Sequence, residues 1–350
     1  MTRNPLGCIL SPDVLLSVAR DATSEDLAAI LGTIELDQTF RQGRAEVAGR
    51  RGAIAPSALL AAPLGGTPHR SIYDQTHSPE RVPGTLARSE GDPEAADDSV
   101  NAAYDNFGIT YKFYWEVFAR DSIDAQGMPI NGLVHFATDY DNAFWDGQGQ
   151  MFFGDGDGRL LTDTTKGLDV IGHELTHGVT QHTANLVYSG QSGALNESIS
   201  DVFGSLVKQF HLNQTAAQAD WLVGADIVGP LLEPALRSMK APGTAHAHDN
   251  QPADMDHYLQ TTSDNGGVHI NSGIPNRAFY VIADKLGGPA WKAAGTIWYD
   301  TLTNPRLLPN ATFASFAAIT LNQARIRYGS TSAEADAVSA GWEAVKVPVR

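Results

Sequence analysis

The stretch Gly167-Leu168-Asp169-Val170-Ile171-Gly172-His173-Glu174-Leu175-Thr176-His177-Gly178-Val179-Thr180 carries two histidines four residues apart in a segment of helical pattern. On a helix such residues share a face, so both imidazoles can reach one metal ion. Zinc accepts neutral imidazole nitrogens. Glu174, one step round the helix, falls beside the water that such a metal polarises rather than on the metal itself. Alone, the five-residue pattern is only suggestive. A second segment, from Gly193 to Gly204, adds Glu197 and Asp201 at the same spacing. Glu197 completes a set of two histidines and one carboxylate with a fourth position open, which is the catalytic rather than the structural zinc pattern. Asp201 can accept the other ring N–H of a ligating histidine and fix its tautomer. Leu195, Ile199, Val202 and Phe203 would bury the rest of that helix.

Outward from these two helices the chain divides by pattern. Asp97 to Glu116 reads as a helix, while Leu133–Ala137 and Met151–Phe153 read as strands separated by Asp/Asn/Gly turns such as Asp155-Gly-Asp-Gly158. Beyond residue 163 helical patterns dominate, at 167–182, 195–210, 273–286, 290–302, 312–327 and 332–345. Strands first and helices second predict two segregated lobes of an α+β chain. Residues 1–41 form a small helical unit of their own, with a helix start at Ser24-Glu-Asp-Leu. An Ala/Pro/Gly-rich linker follows from Ala53 to Gly66, the kind of exposed segment that proteases cut.

Composition bounds the function. The 350 residues hold 24 basic and 40 acidic side chains, a formal charge of −16, which argues against nucleic acid or an anionic membrane as the main partner. The 42% hydrophobic content suffices for buried cores. One cysteine, Cys8, excludes an intrachain disulfide framework. No apolar run approaches the ~20 residues of a membrane span. Pro12 and Asp13 interrupt the apolar stretch near the N-terminus, so no secretory leader is read there. The expectation is a chain that is cytoplasmic at synthesis, with action inside the cell and exit by a leaderless route both left open. Nothing demands more than a monomer.

His173-Glu-Leu-Thr-His177, Gly193-Ala-Leu-Asn-Glu197-Ser-Ile-Ser-Asp201 and Asp264-Asn-Gly-Gly-Val-His269-Ile-Asn-Ser-Gly273 together resemble the thermolysin family of zinc metalloendopeptidases. The match runs from about Ile72 to the C-terminus. The short N-terminal segment is similar to the precursors of the protealysin-like branch. The resemblance implies a two-lobe fold with zinc in the cleft: a propeptide at 1–51, a β-rich lobe at 52–184 and a helical lobe at 185–350. It implies Glu174 as general base, Tyr188 and His269 as oxyanion-stabilising groups, and Asp264 as the carboxylate that orients His269. Asn142 and the Ala143 backbone match an edge strand that pairs with substrate. Arg237 matches a substrate-carbonyl arginine, and Leu236, Val170 and Val223 match an apolar pocket, implying cleavage before Leu, Phe, Ile or Val in protein or peptide substrates.

Two features depart from the family pattern. Asp169 and Asp220 match ligands of its double-calcium site, but the other ligand positions carry Lys208, Leu222 and Ala225. A lysine ammonium there can stand in for a cation, whereas calcium needs six to eight oxygens. The double site is therefore expected to be absent. Asp155-Gly-Asp157 is read as a turn that could also ligate calcium. The segment Cys8-Ile-Leu-Ser-Pro12 resembles the start of a protealysin-type propeptide, with Ser11-Pro12 where the family has paired prolines. Residues 1–51 are expected to cover the cleft as an intramolecular inhibitor until self-cleavage between Arg44 and Ile54, with Glu46–Val47 one candidate bond. Cys8 has two readings, a thiolate latch on zinc or a small buried hydrophobe. His246, His248 and His257 lie in an Asp/Pro/Ala-rich loop and read as solvated.

Overall fold

The computed structural model describes residues 7–48 and 66–349. The linker read at 53–66 falls, except for Gly66, outside these residues. At the N-terminus β1 (Gly7–Cys8) leads into α1 (Pro12–Asp21) and α2 (Ser24–Ala48). Ser11 caps α1 by accepting from the Val14 N–H, and Pro12 sits in the first turn, where a missing N–H costs little. Leu15, Val18, Ile30 and Ile34 turn inward and join the main apolar core, so this unit is packed against the rest of the molecule.

The first lobe holds β2 (Arg70–Asp74), β3 (Thr85–Ser89), α3 (Asp98–Phe118), β4 (Ile130–Val134), β5 (Ala143–Trp145) and β6 (Gln150–Phe153). Together with β1 these strands make one mixed sheet in the order β1-β5-β6-β4-β2-β3. The period-two pleat sorts the aromatic run of β5 and β6. Ala143, Trp145, Met151 and Phe153 face the main core, while Phe144 and Phe152 face a second cluster with Leu133, Phe136, Ala137, Tyr140 and Cys8. Leu36 of α2 packs on that second cluster.

The strand read at 133–137 begins and ends earlier, at Ile130–Val134. His135 and Ala137 take positive φ values of 53° and 54°, which no strand continues. The turn aims His135 between two carboxylates, with Nδ1 2.9 Å from Asp155 and Nε2 2.9 Å from Asp97, the N-cap of α3. Hydrogen bonding to Asp155, and then to Asp97, pushes its pKa up to about 9 despite partial burial. A group whose folded pKa is raised stabilises fully below its unfolded pKa of about 6.5 and loses that contribution as pH climbs through 9. The expected result is a melting temperature that falls between those values in wild type. Thermal unfolding of a His135→Gln variant should lack that component, and an unchanged pH profile would sink the argument.

The helix α4 (Leu168–Gln181) closes the first lobe, and the second lobe is helical: α5 (Gly190–His211), a two-strand ribbon of β7 (Leu222–Val223) and β8 (Arg237–Ser238), then α6 (Asp264–Asn271), α7 (Gly273–Leu286), α8 (Ala294–Leu302), α9 (Phe313–Tyr328) and α10 (Ala333–Ala344). No described helix is long and apolar enough to cross a membrane. The helix α4 is buried from Leu168 to Thr180, against β5 and α3 on one side and α5 on the other. Glycines set the α4–α5 separation. A Cβ on Gly172 would lie 2.9 Å from the Gly204 Cα, and one on Gly204 would lie 2.3 Å from the Asp169 carbonyl oxygen. Side chains at either position would push the helices apart, and with them the two halves of the metal cluster.

Candidate functional site

His173 and His177 on α4 meet Glu197 on α5, with all candidate ligand atoms within 4.8 Å of one another and every residue buried. Each imidazole is held from behind. His173 Nδ1 is 2.8 Å from Asp201 Oδ1, and His177 Nδ1 is 2.8 Å from Asn196 Oδ1 and 3.1 Å from Ser200 Oγ. These acceptors direct Nδ1–H outward and turn both Nε2 lone pairs inward, 3.0 Å apart. Burial drives the His177 pKa down to about 4, keeping the ring neutral. Glu197 Oε2 is buried with no hydrogen-bond partner among the described residues. Inward lone pairs, a neutral imidazole and an orphaned carboxylate oxygen make a cradle for one zinc ion, and the residues present fit it.

Glu174 lies against the same cradle. Its Oε2 accepts from the Trp145 N–H at 2.8 Å, while Oε1 is buried without a hydrogen-bond partner among the described residues. Burial, with Cys8 and Glu197 nearby, pushes its pKa well above the usual carboxylate range. Tyr188 donates to Glu197 Oε1, and its hydroxyl is 3.2 Å from His269 Nε2. His269 is anchored by Asp264, whose carboxylate takes the ring Nδ1–H at 2.7 Å and the backbone N–H at 2.8 Å. That fold-back depends on Gly266 and Gly267, at φ 89° and 75°, a left-handed turn that side chains resist. Burial would lower the His269 pKa, but Asp264 and then Glu197 hold it well above its ordinary value.

The cleft beside this group is filled by the chain's own N-terminal segment. β1 pairs antiparallel with the edge strand β5, Gly7 opposite Trp145 and Cys8 opposite Phe144. The Ile9 N–H donates to the Ala143 carbonyl at 3.1 Å. Asn142 brackets Leu10, accepting its N–H at 3.0 Å and donating to its carbonyl at 3.2 Å. Arg237 Nη1 donates to the Ile9 carbonyl at 2.6 Å, and His269 Nε2 is 2.9 Å from the Cys8 carbonyl. Ile9 is buried in the apolar core that also contains Leu236, Val170 and Val223. Leu236 lines a small cleft with Leu10, Val14, Arg237, His269 and Ile270. The Cys8 side chain lies in the Phe144 cluster, and the three-residue metal group forms without it. Its carbonyl lies 2.9 Å from His269 Nε2, and its thiol also hydrogen-bonds His269 and lies near Glu174 and Tyr188.

Asp201 does more than orient a histidine. It accepts Arg237 Nε at 2.9 Å and Nη2 at 2.7 Å, and Asn276 Nδ2 at 2.9 Å. One carboxylate thus joins a metal ligand to the arginine that touches the segment in the cleft. Burial opposes its ionisation, yet Arg237 and then His173 hold its pKa far below the usual carboxylate range. Near the other end of α5, Lys208 Nζ lies 2.8 Å from Asp226, 3.7 Å from Asp169 and 3.8 Å from Asp220. Burial would lower the lysine, but these carboxylates, Asp169 first, hold it above its ordinary value. Asp155 is engaged by His135, and Asp157 accepts the N–H groups of Arg159 and Leu160.

Several partners were not read from the sequence. Asn196 and Ser200 hold His177 at the same four-residue spacing that singled out Glu197 and Asp201, so the signal was present. Asn276 and the buried Asp37 of α2, which accepts from Tyr140 and Asn142, had none. The solvated reading of the loop histidines is corrected for two of them: His246 is partly buried with Nε2 3.2 Å from the Leu236 carbonyl, and His248 Nδ1 lies 3.0 Å from Ser17 of α1, because that loop borders the N-terminal unit.

Comparison with known proteins agrees with this geometry. Residues 67–181 match the family model described as thermolysin metallopeptidase, catalytic domain, and residues 184–347 match the thermolysin metallopeptidase alpha-helical domain. An extracellular metalloprotease of Pectobacterium carotovorum is 46% identical over 356 residues, covering 100% of this chain and 99% of that protein. An extracellular minor metalloprotease of Serratia marcescens is 44% identical over 236 residues, covering 63% of this chain and 64% of that protein. The solved precursor of protealysin from Serratia proteamaculans superposes with a TM-score of 0.86 at 44% identity, covering 98% of this chain and 100% of that one. These names overturn the cytoplasmic expectation and point to secretion. Hydropathy near the N-terminus detects one kind of targeting segment and is no guide to the compartment in which a chain works.

Proposed function

Because the chain belongs to the thermolysin family of metallopeptidases, we propose that it is the latent precursor of a zinc endopeptidase that cuts before bulky apolar residues. The observation carrying this reading is the peptide segment that crosses the buried His173–His177–Glu197 cluster with Glu174 beside it. When bound, zinc supplies Lewis acidity, lowering the pKa of a water and polarising a peptide carbonyl. Glu174 takes a proton from the attacking water and delivers it to the departing nitrogen, a task suited to a carboxylate with raised proton affinity. Tyr188 and His269 donate to the developing oxyanion, and Asp264 keeps His269 charged and aimed. Asn142 and the Ala143 carbonyl hold an extended backbone, and Arg237 holds the carbonyl after the cut bond. The apolar surroundings of Ile9, including Leu236, Val170 and Val223, account for the preference for Leu, Phe, Ile or Val after that bond. Mapping the cuts made in casein tests this preference. Cuts scattered without regard to the following residue would remove it.

In this reading residues 1–51 are the propeptide, 52–184 and 185–350 the two lobes, and latency comes from cover of the cleft by the N-terminal segment. The maturation window between Arg44 and Ile54 runs into residues 49–65, outside those described. The salt bridge of Arg159 to Asp26 at 2.9 Å adds a further hold on the propeptide. Lys208 serves as the cation of the former double-calcium site. Added calcium should therefore leave the melting temperature of the wild type unchanged. A Lys208→Met variant should be less stable and partly recovered by calcium, and a wild type that calcium stabilises would refute the substitution.

A further inference from the structure

The segment in the cleft is laid out as a substrate, and that layout singles out one bond. Three consecutive carbonyls have different partners. Leu10 is held by Asn142, Ile9 by Arg237, and Cys8 by His269 Nε2 at 2.9 Å, a nitrogen itself 3.5 Å from the zinc-cluster oxygen Glu197 Oε2. Among these, the Cys8 carbonyl is the one set at the metal group. The nitrogen of the same peptide bond donates to the Ala143 carbonyl at 3.1 Å. The residue after the bond is Ile9, fully buried and apolar. Glu174 sits at this register too, fixed by the Trp145 N–H, and Trp145 pairs with Gly7.

We infer that the Cys8–Ile9 peptide bond is presented to the metal group as a scissile bond, so that the N-terminal segment is a tethered substrate nicked there before the linker is cut. This rests on the peptidase reading above. Water adds its hydroxyl to the Cys8 carbonyl carbon and its proton passes through Glu174 to the Ile9 nitrogen. The C–N bond breaks, and the new acid on Cys8 loses its proton to complete an ammonium on Ile9. The nick does not free the cleft. Ile9 and Leu10 keep Arg237 and Asn142, and the helices keep Asp26–Arg159, Ser17–His248 and Asp13–Ser263. The nicked chain therefore stays latent as a product-like complex until a second cut behind α2.

Cys8 is the one cysteine of the chain, so cysteine labelled with ¹³C at its carbonyl reports a single site. In full-length Glu174→Gln protein, which cannot complete the cut, adding zinc should move that resonance downfield. A resonance indifferent to zinc overturns the inference. In full-length wild type supplied with zinc, intact-mass analysis should find a new N-terminus at Ile9 before any gain in hydrolysis of an added peptide. An Ile9→Gly variant should delay that product by at least about tenfold, through loss of an apolar side chain from its pocket. If wild type matures and digests added peptide while Cys8–Ile9 stays whole, the inference fails and the peptidase reading stands. If neither is cut, the peptidase reading fails and takes the inference with it.

Discussion

The Glu174→Gln variant should bind zinc as wild type does and lose about 10²–10⁴-fold in peptide hydrolysis, the range for removing a general base. Glutamine matches glutamate in shape and can still accept the Trp145 N–H through its amide oxygen. It cannot take up a proton. The histidines and Glu197 lose no partner, because Glu174 makes no hydrogen bond to them among the described contacts. Stability should hold or rise. Burial and the neighbouring Cys8 and Glu197 disfavour the charged form of Glu174 in the folded state, and a neutral amide removes that disadvantage. The same substitution should stop self-cleavage, leaving a full-length chain. Metal content, kcat/KM on an added peptide, the melting temperature and the intact mass of the chain, measured side by side, check all four claims. Near wild-type hydrolysis with zinc bound would remove Glu174 from the mechanism, whereas loss of zinc would mean the variant had disturbed the cradle.

How much of this was legible depended on whether the signal was local. Helices α4 and α5 carry functional residues at four-residue spacing, so His173, His177, Glu197 and Asp201 could be picked by periodicity alone. That the two helices face each other at this distance could not. It rests on Gly172 against the Gly204 backbone, a contact between residues 32 positions apart whose glycines look like ordinary weak points in a helix. Asp37 is buried against Tyr140 and Asn142, and nothing near it in sequence says so. Strand β1 is two residues long, too short for any alternation, so the side of the sheet taken by Cys8 was open until β5 fixed the register. The positive φ of His135 was equally hidden, since Leu133-Val-His-Phe-Ala137 alternates well enough to pass for a strand.

Asp201 is the point where structure and chemistry are hardest to separate, and an Asp201→Asn variant should damage both. The carboxylate receives four N–H groups: His173 Nδ1, Arg237 Nε and Nη2, and Asn276 Nδ2. An amide offers one oxygen and turns an NH₂ group against donors on the other side. Arg237, itself buried, would be left with a charge that no carboxylate at this position neutralises. Breaking one partner of a buried pair destabilises by about 3–5 kcal/mol. Loosening the hydrogen bond behind a ligating histidine lowers metal affinity by about 10–100-fold. Both losses should appear together, in denaturant unfolding and in chelator competition for zinc, measured in a Glu174→Gln background so that self-cleavage does not intervene. An Asn276→Ala variant removes one neutral donor and should lose only about 1 kcal/mol, with zinc affinity little changed. Because Asp201 is held far below the usual carboxylate range, the wild-type contribution is present at neutral pH and lost only as pH falls into the acid region. The stability gap between wild type and Asp201→Asn should accordingly close on acidification. A gap that stayed constant down to acid pH would mean that Asp201 acts through shape rather than through its charge.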